Sequence, residues 1–526
     1  MKYNLLAILL CCILSSNAQY PIVTIDNSTV NPNEPTIYIN PNNVGNIVAG
    51  SNIDNLYVSI DTGKTWKLKV LTSSLGVYGD PVVYCDDVGN FFYCHLSATK
   101  SKRYPHWIDR IVVQKSMDGG ETFSDGSFAG YNGNKEQDKH WIIKDQNSTV
   151  FRGNIYLSWT EFDKYESKDP NDHSRIRFAR SVNDGASFED AITISDTVGD
   201  CMDDDLTLEG ATPAIGAKGE VYVAWAGYGK LYFDKSKDGG VTWGKDKVIA
   251  MQDDGWALSF NQIFRCNGLP FLVADHSPGN FKNRLYLVWG ESHPNIGGEI
   301  KLKYSDNGGD TWSDEITVNS SSAGDQFLPH VAVDQNDGTV YIVFYDRRNS
   351  PSNILTDVYV AYSLDGGNTF TNKKVTRSPF LPAGKDVFFG DYNGISAHKG
   401  IVRPIWTATH EESKGHLVIQ TALLTKESLK HKDQEQGSDI FYKYYQNELN
   451  NEFILYSGIP LDYTIKLKVK KSKYAWFGKT YRTSGTIYPL NPNPEVYFNT
   501  IKGKRMVLKM KLKGSDFNEK VKEIIQ

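Results

Sequence analysis

Carboxylates, arginines, histidines and a tyrosine recur along this chain at places where a packed core has no use for them. Asp80 stands in Gly79-Asp80-Pro81, Asp138 opens Asp138-Lys139-His140-Trp141, and Glu209 follows the acidic run Asp203-Asp204-Asp205. Gln326 and His330 come next, then Asp391 and Tyr392 in Gly390-Asp391-Tyr392. Glu161, Glu291, Asp346-Arg347-Arg348 and His410-Glu411 make a second set, and Arg265 lies in a long connection. Paired carboxyls supply the acid and the base of glycosidic cleavage. Guanidinium forks grip carboxylates through two parallel bonds. Brought together, these residues suit a polar, often anionic ligand such as a sugar acid.

The elements that must position them are short strands. Around residues 326–370 the order is plainest: PHVAVD, the turn QNDG, TVYIVFYD, a loop, DVYVAYS, and then a turn phrase. Apolar and polar residues alternate at period two, with Val, Ile, Tyr and Phe dominant. Second strands equivalent to TVYIVFYD are NIVAGS, NFFYCHL, NIYLSWT, EVYVAWA, RLYLVWG and IVRPIWT, which makes seven. The first set of polar residues opens inner strands and the second closes second strands, so both belong to one face.

The turn phrase occurs six times, as SIDTGKTW, SMDGGETF, SVNDGASF, SKDGGVTW, SDNGGDTW and SLDGGNTF, its copies starting 57, 65, 55, 69 and 58 residues apart. A fixed phrase at a quasi-regular period marks one supersecondary unit used repeatedly. Its Asp or Asn accepts hydrogen bonds from the turn's own backbone, and its last aromatic plugs the turn onto a sheet. Seven second strands with six phrases predict an all-β, seven-bladed propeller whose last blade lacks the phrase; six blades are the alternative. The phrases lie between third and fourth strands, on the rim opposite the polar set. Trp159, Trp225, Trp289 and Trp406, at equivalent second-strand positions, read as packing between blades.

The phrase resembles the Asp box of the sialidase-like, or BNR-repeat, propellers, over roughly residues 34–424. That resemblance implies a glycoside hydrolase with Tyr392 as nucleophile, Glu411 as its partner and Asp80 as the acid. Among the family's carboxylate-binding arginines, Arg347 or Arg348 would stand for one and Arg265 for a second. Asp138, His140 and Asp391 are expected to line the same substrate site. The chain departs from the family in its first inner strand, EPTIYINP, where an arginine is missing and the triad stays incomplete. Three readings remain open: a sialidase-like or divergent hydrolase on acidic glycans, a lyase on uronic-acid polymers, and a propeller that only binds glycan or protein.

A net charge of −5 argues against a dedicated nucleic-acid partner. Residues 1–18 read as a secretory signal cut near Ala18, and the apolar run is too short to span a membrane. A secreted or periplasmic monomer acting on a glycan or polysaccharide is expected, without a cofactor. Calcium on Asp203–Asp205 is an option, because oxygen-rich loops suit it. Four cysteines remain after the signal; a bridge is expected between Cys201 and Cys266, with Cys85 and Cys94 as buried thiols. The propeller is set at 19–425, a polar linker at 426–439, and a β-rich accessory domain at 440–526. In that domain Lys alternates with Ile, Leu, Val and Met, and DFNEKVKEIIQ is expected to end it as a helix.

Overall fold

The computed structural model describes residues 20–430, apart from 29, 98–107, 295, 351 and 410–415, and the backbone of seven strands between 440 and 525. Tyr20–His431 form one compact unit, and the chain from Lys432 onward belongs to another. The first is a ring of seven antiparallel blades, six of four strands and the seventh with a short fifth strand, Leu424–Thr425. Blade one runs Thr36–Ile39, Ile47–Ser51, Asn55–Ser59 and Lys67–Val70 from axis to rim. The inner strands of blades two to six are Gly79–Cys85, Glu136–Lys144, Glu209–Ile215, Phe271–Ala274 and Gln326–Val333. Second strands such as Phe91–Ser97 and Val221–Gly227 are buried at every residue, because neighbouring blades cover both faces. Trp159, Trp225, Trp289 and Trp406 are fully buried between blades, as expected.

The seventh blade closes the ring. Its strands Gly394–His398, Ile401–Thr409 and Leu417–Ala422 come from the end of the unit, and its outermost strand, Ile22–Asp26, comes from the start. Val23 pairs with Thr421 and Thr24 with Gln420, so both ends of this unit are zipped into one sheet.

The six turn phrases fold alike. In the first, the Ser59 hydroxyl and the Thr65 N–H donate to Asp61 Oδ1 at 2.8 and 2.9 Å, and the Thr65 hydroxyl donates to Asp61 Oδ2 at 2.7 Å. Each turn also presses on the preceding blade. A methyl placed on Gly240 (φ +87°) would come 2.5 Å from Cε1 of Phe178 in blade three, and the Trp243 ring meets Phe178 edge-on at 4.8 Å. The turn of blade one touches blade seven, where Arg403 donates to the Thr62 carbonyl at 2.8 Å. Blade seven has no such phrase. Instead the backbone N–H groups of Lys399 and Gly400 donate to Asp334, and Lys426 reaches Asp337 at 2.7 Å, tying blade seven to blade six.

Three expectations are corrected. Cys201 and Cys266 are free buried thiols rather than a bridge, Cys201 packing with Phe162 and Tyr165, and Cys266 with the larger core beneath blades six and seven. Cys85 and Cys94 are free and buried as expected; Cys94 pairs with Val82 across the hairpin, not with Cys85. A short helix, Lys426–Lys430, begins the segment read as a linker, and 431–439 lie outside the described residues. The expected C-terminal helix is a strand, Asn518–Ile525, paired with Met506–Lys513 in a four-stranded sheet. Met506–Lys513 offers it a partner edge along its whole length, and such tertiary pairing overrides helix propensity. A second, three-stranded sheet joins Ile440–Gln446, Asn451–Ser457 and Val496–Phe498.

Candidate functional site

Inner strands do not simply enter the ring; several kink at their first residues. The ladder is interrupted between Gly79 and Val82, Asp138 and Trp141, Glu209 and Thr212, and Phe327 and His330. At these bulges Asp80 (φ +50°) and Lys139 (φ +47°) sit in the left-handed region, as does Glu34 (φ +53°) just ahead of its strand. A bulge re-aims a side chain, and non-glycine residues are held there only when their surroundings insist. The result is visible in the contacts of Lys139. Its ammonium lies 2.6 Å from Asp391 Oδ2, 3.4 Å from Glu34 Oε1 and 3.4 Å from Asp80 Oδ2, linking blades one, two, three and seven at the axis.

A second cation completes the cluster. Arg265 leaves a two-stranded ribbon, Ala257–Leu258 with Cys266–Asn267, in the connection from blade four to five. Its guanidinium bonds Asp203 at 2.7 Å and grips Asp391 through two nitrogens, one at 3.1 Å. Asn267 donates to the Asp391 carbonyl at 2.9 Å, and the Tyr165 hydroxyl donates to Asp203 at 2.6 Å. Asp138 and the fully buried Glu209 stand beside Asp203. Six carboxyls therefore share two cations.

That imbalance sorts the carboxyls. Burial pushes the Asp138 carboxyl up to about 8, and the negative charge of Asp80 adds to the shift. Burial and the charges of neighbouring carboxylates raise Glu34 and Glu209 well above the usual carboxylate range. Burial would raise Asp391 as well, but Arg265 and Lys139 overwhelm it and hold the group well below that range. The same carboxylates keep the buried Lys139 ammonium charged. At the bottom of the cluster a cavity of about 10 Å³, room for one water, is lined by Lys139, Trp141, Asn267, Asp391 and Tyr392. Above it the cluster is open to solvent: the Asp80, Asp203 and Arg265 side chains are 17, 12 and 36% exposed.

Of the site residues expected from the sequence, Asp80, Asp138, Asp391 and Arg265 meet here. Tyr392 meets them only with its ring. It is 6% exposed, boxed in by Trp141 at 5.7 Å and Lys139 at 5.4 Å, and its hydroxyl donates to the Pro81 carbonyl at 3.2 Å. Burial pushes that phenol far above its ordinary range. His140 is buried among the inner strands, where burial lowers it to about 3. Arg347 and Arg348 are not part of the cluster. Arg347 is fully buried and spends its donors on Thr356, Asn353 and Asn261 at 2.9–3.1 Å. Arg348 pairs with Asp346 and lies over the Tyr359 ring. Glu411 lies outside the described residues.

Sequence reasoning overlooked Glu34, Tyr165 and Asn267, and named Lys139 without a task. A signal for Glu34 was present. Glu34-Pro35, Asp80-Pro81, Leu269-Pro270 and Leu328-Pro329 recur at inner-strand entrances, and the residue before each proline is the one that faces inward or kinks.

For a metal, Glu291, His293 and Glu299 are near enough to act jointly, with Asp253 3.2 Å from His293 Nδ1. The Lys301 ammonium, 2.9 Å from Glu299 and 3.5 Å from Glu291, already supplies a positive charge there. In the acidic run, Asp203 is taken by Arg265, Asp204 by the Leu206 N–H and Asp205 by the Ala257 N–H.

No family model and no curated protein matches the chain. Solved structures resemble it at low identity. An ulvan lyase bound to a GlcA-Rha3S unit is 14% identical, with a TM-score of 0.47 over 78% of this chain and 96% of that one. The Hadza microbial sialidase Hz136 is 15% identical, with a TM-score of 0.41 over 72% and 73%. YCF48 bound to D1 peptide is 12% identical, with a TM-score of 0.40 over 78% and 97%. Likenesses this distant carry nothing about chemistry, and the site speaks through its own geometry.

Proposed function

We propose that the protein is a carbohydrate-active enzyme, a glycoside hydrolase whose acid is Asp138 and whose base is Asp80. One observation carries this reading: two neighbouring carboxyls of the axial cluster meet different surroundings, Asp138 being buried beside other carboxyls and Asp80 facing an ammonium. Asp138 keeps its proton to about pH 8, while Asp80 faces the Lys139 ammonium at 3.4 Å. Such a pair marks an acid and a base. Asp138 gives its proton to the glycosidic oxygen as that bond breaks. Asp80 takes a proton from the water whose oxygen joins the anomeric carbon. Transfer of that proton back to Asp138 through solvent resets the pair. Lys139 fixes the position of Asp80 and steadies its charge before and after.

Cleavage of sialosides through Tyr392 has less support. That route needs a phenol facing a base and guanidinium groups free for a carboxylate, whereas Tyr392 donates to a carbonyl and Arg265 is held by two aspartates. With a predominance of carboxyls around the site, a neutral glycan is favoured over an acidic one. Residues 1–18 place this activity outside the cytoplasm in our reading.

The test is release of reducing sugar from a panel of neutral, uronic and sialylated glycans. Wild type is expected to release sugar from a neutral member, and Asp138→Asn to lower the rate by about 10²–10⁴-fold. Binding without release from any member would overturn hydrolysis in favour of a binding scaffold. Absorbance from an unsaturated uronide would overturn it in favour of a lyase.

A further inference from the structure

Beside Arg265, at the edge of the axial cluster, stands an aromatic feature that the acid–base scheme does not use. Phe264 is 58% exposed, on the residue next to Arg265. Its ring centroid lies 6.5 Å from that of Phe388 at an interplanar angle of 78°. Phe388 comes from the connection between blades six and seven, and the Arg265 guanidinium covers its ring at 5.0 Å. Both loops are anchored to the site. Arg265 holds Asp203 and Asp391, and Asn33, next to Glu34, donates to the Phe388 carbonyl at 3.2 Å. Among the described residues the other exposed phenylalanine, Phe128, lies under the Arg110 guanidinium. Phe264 stands nearly perpendicular to Phe388, and more than half of its surface faces water.

We propose that Phe264, backed by Phe388 and Arg265, is the platform for a sugar ring next to the scissile bond, and that the substrate is a neutral chain of pyranoses. This rests on the glycoside-hydrolase reading. A pyranose has an apolar face of C–H groups, which are weakly positive and meet the negative face of an aromatic ring. Its edge carries hydroxyl donors, and Asp203, held by the neighbouring Arg265, is an acceptor in the same cluster. An anionic unit at this place would sit beside Asp203 and Asp391, and Arg265, the cation next to it among the described residues, is already engaged by both. The ribbon behind Arg265 and the guanidinium over Phe388 fix the platform before ligand arrives, which lowers the entropic cost of binding.

Affinity electrophoresis in native gels holding soluble xylan, β-1,3-glucan or galactomannan, with polygalacturonate as the charged comparison, tests this on the full chain. Wild type is expected to be retarded by at least one neutral polysaccharide more than by polygalacturonate. Phe264→Ala should weaken that binding about tenfold, a loss of about 1.4 kcal/mol, and Phe264→Trp should restore it. In turnover, Phe264→Ala should raise KM about tenfold and change kcat by less than about twofold, the mark of lost uniform binding. No retardation by any neutral polysaccharide, or equal retardation of wild type and Phe264→Ala, would overturn the platform. Hydrolysis with an unaltered KM in Phe264→Ala would overturn the platform and leave the hydrolase. Binding that depends on Phe264, with no sugar released, would do the reverse.

Discussion

Lys139 ties four blades together through one side chain. Three carboxyl groups from three other blades converge on one buried ammonium, so Lys139→Met leaves the buried Asp391 charge with Arg265 alone to compensate it. The loss should be about 3–5 kcal/mol, the usual result of breaking a buried pair from one side, and urea unfolding would measure it. The raised carboxyls have the opposite signature with pH. A carboxyl lifted from an unfolded value near ~4 to a higher folded one binds more protons folded than unfolded across that interval. Stability should therefore fall as pH rises from about 4 to the folded value of about 8 for Asp138. A melting temperature that drops several degrees over that range, and drops less in Asp138→Asn, is the expected result. At this scale the sequence was only partly readable. The carboxyls of the cluster could be named from their types, but which cation they would meet depends on blades far apart in the chain. Arg347 and Lys139 look equally available in sequence. One is buried against loop carbonyls, and the other is turned to the axis by a bulge.

At the scale of the element, the bulged strand entrance and the repeated turn divide the work. The turn was legible because its Ser, Asp, Gly, Thr and aromatic each have a local job. Its link to the preceding blade was not, since nothing in the phrase says which sheet the aromatic meets. Trp243 is half-buried against Phe178, and Trp243→Ala should cost about 2–3 kcal/mol, below the value for a fully buried ring. Thermal unfolding would check this, and glycan binding in the folded fraction should be unaffected. Loss of binding at an unchanged melting temperature would mean that the turn face takes part in function. The bulges were invisible in the pattern of apolar residues, because a bulge changes where one residue points without altering the strand's composition.

The unit Tyr20–His431 is a ring, and a ring has to be fastened. The count of seven blades could be read from seven second strands, but the clasp could not, because Ile22–Asp26 is a short strand far in sequence from its partner. Ile25 is buried in the core shared by blades one and seven. Ile25→Asp puts an unpaired charge there and should cost well over 3 kcal/mol, lowering the melting temperature of the whole propeller in one transition. A separate early transition confined to blade seven would show that the clasp is not needed by the rest.

The ring brings carboxyls from several blades to one axis, and in the proposed reaction Asp138 is an acid beside Asp80. The pH dependence of kcat/KM on the neutral glycan that turns over best tests that claim most directly. The rate should hold below, and decline above, the value of about 8 to which Asp138 is raised, with one proton lost on the alkaline limb. Asp138→Asn should abolish the limb together with most of the rate. A rate that keeps its plateau well into alkali, or an Asp138→Asn variant with the rate and limb of wild type, would contradict the account.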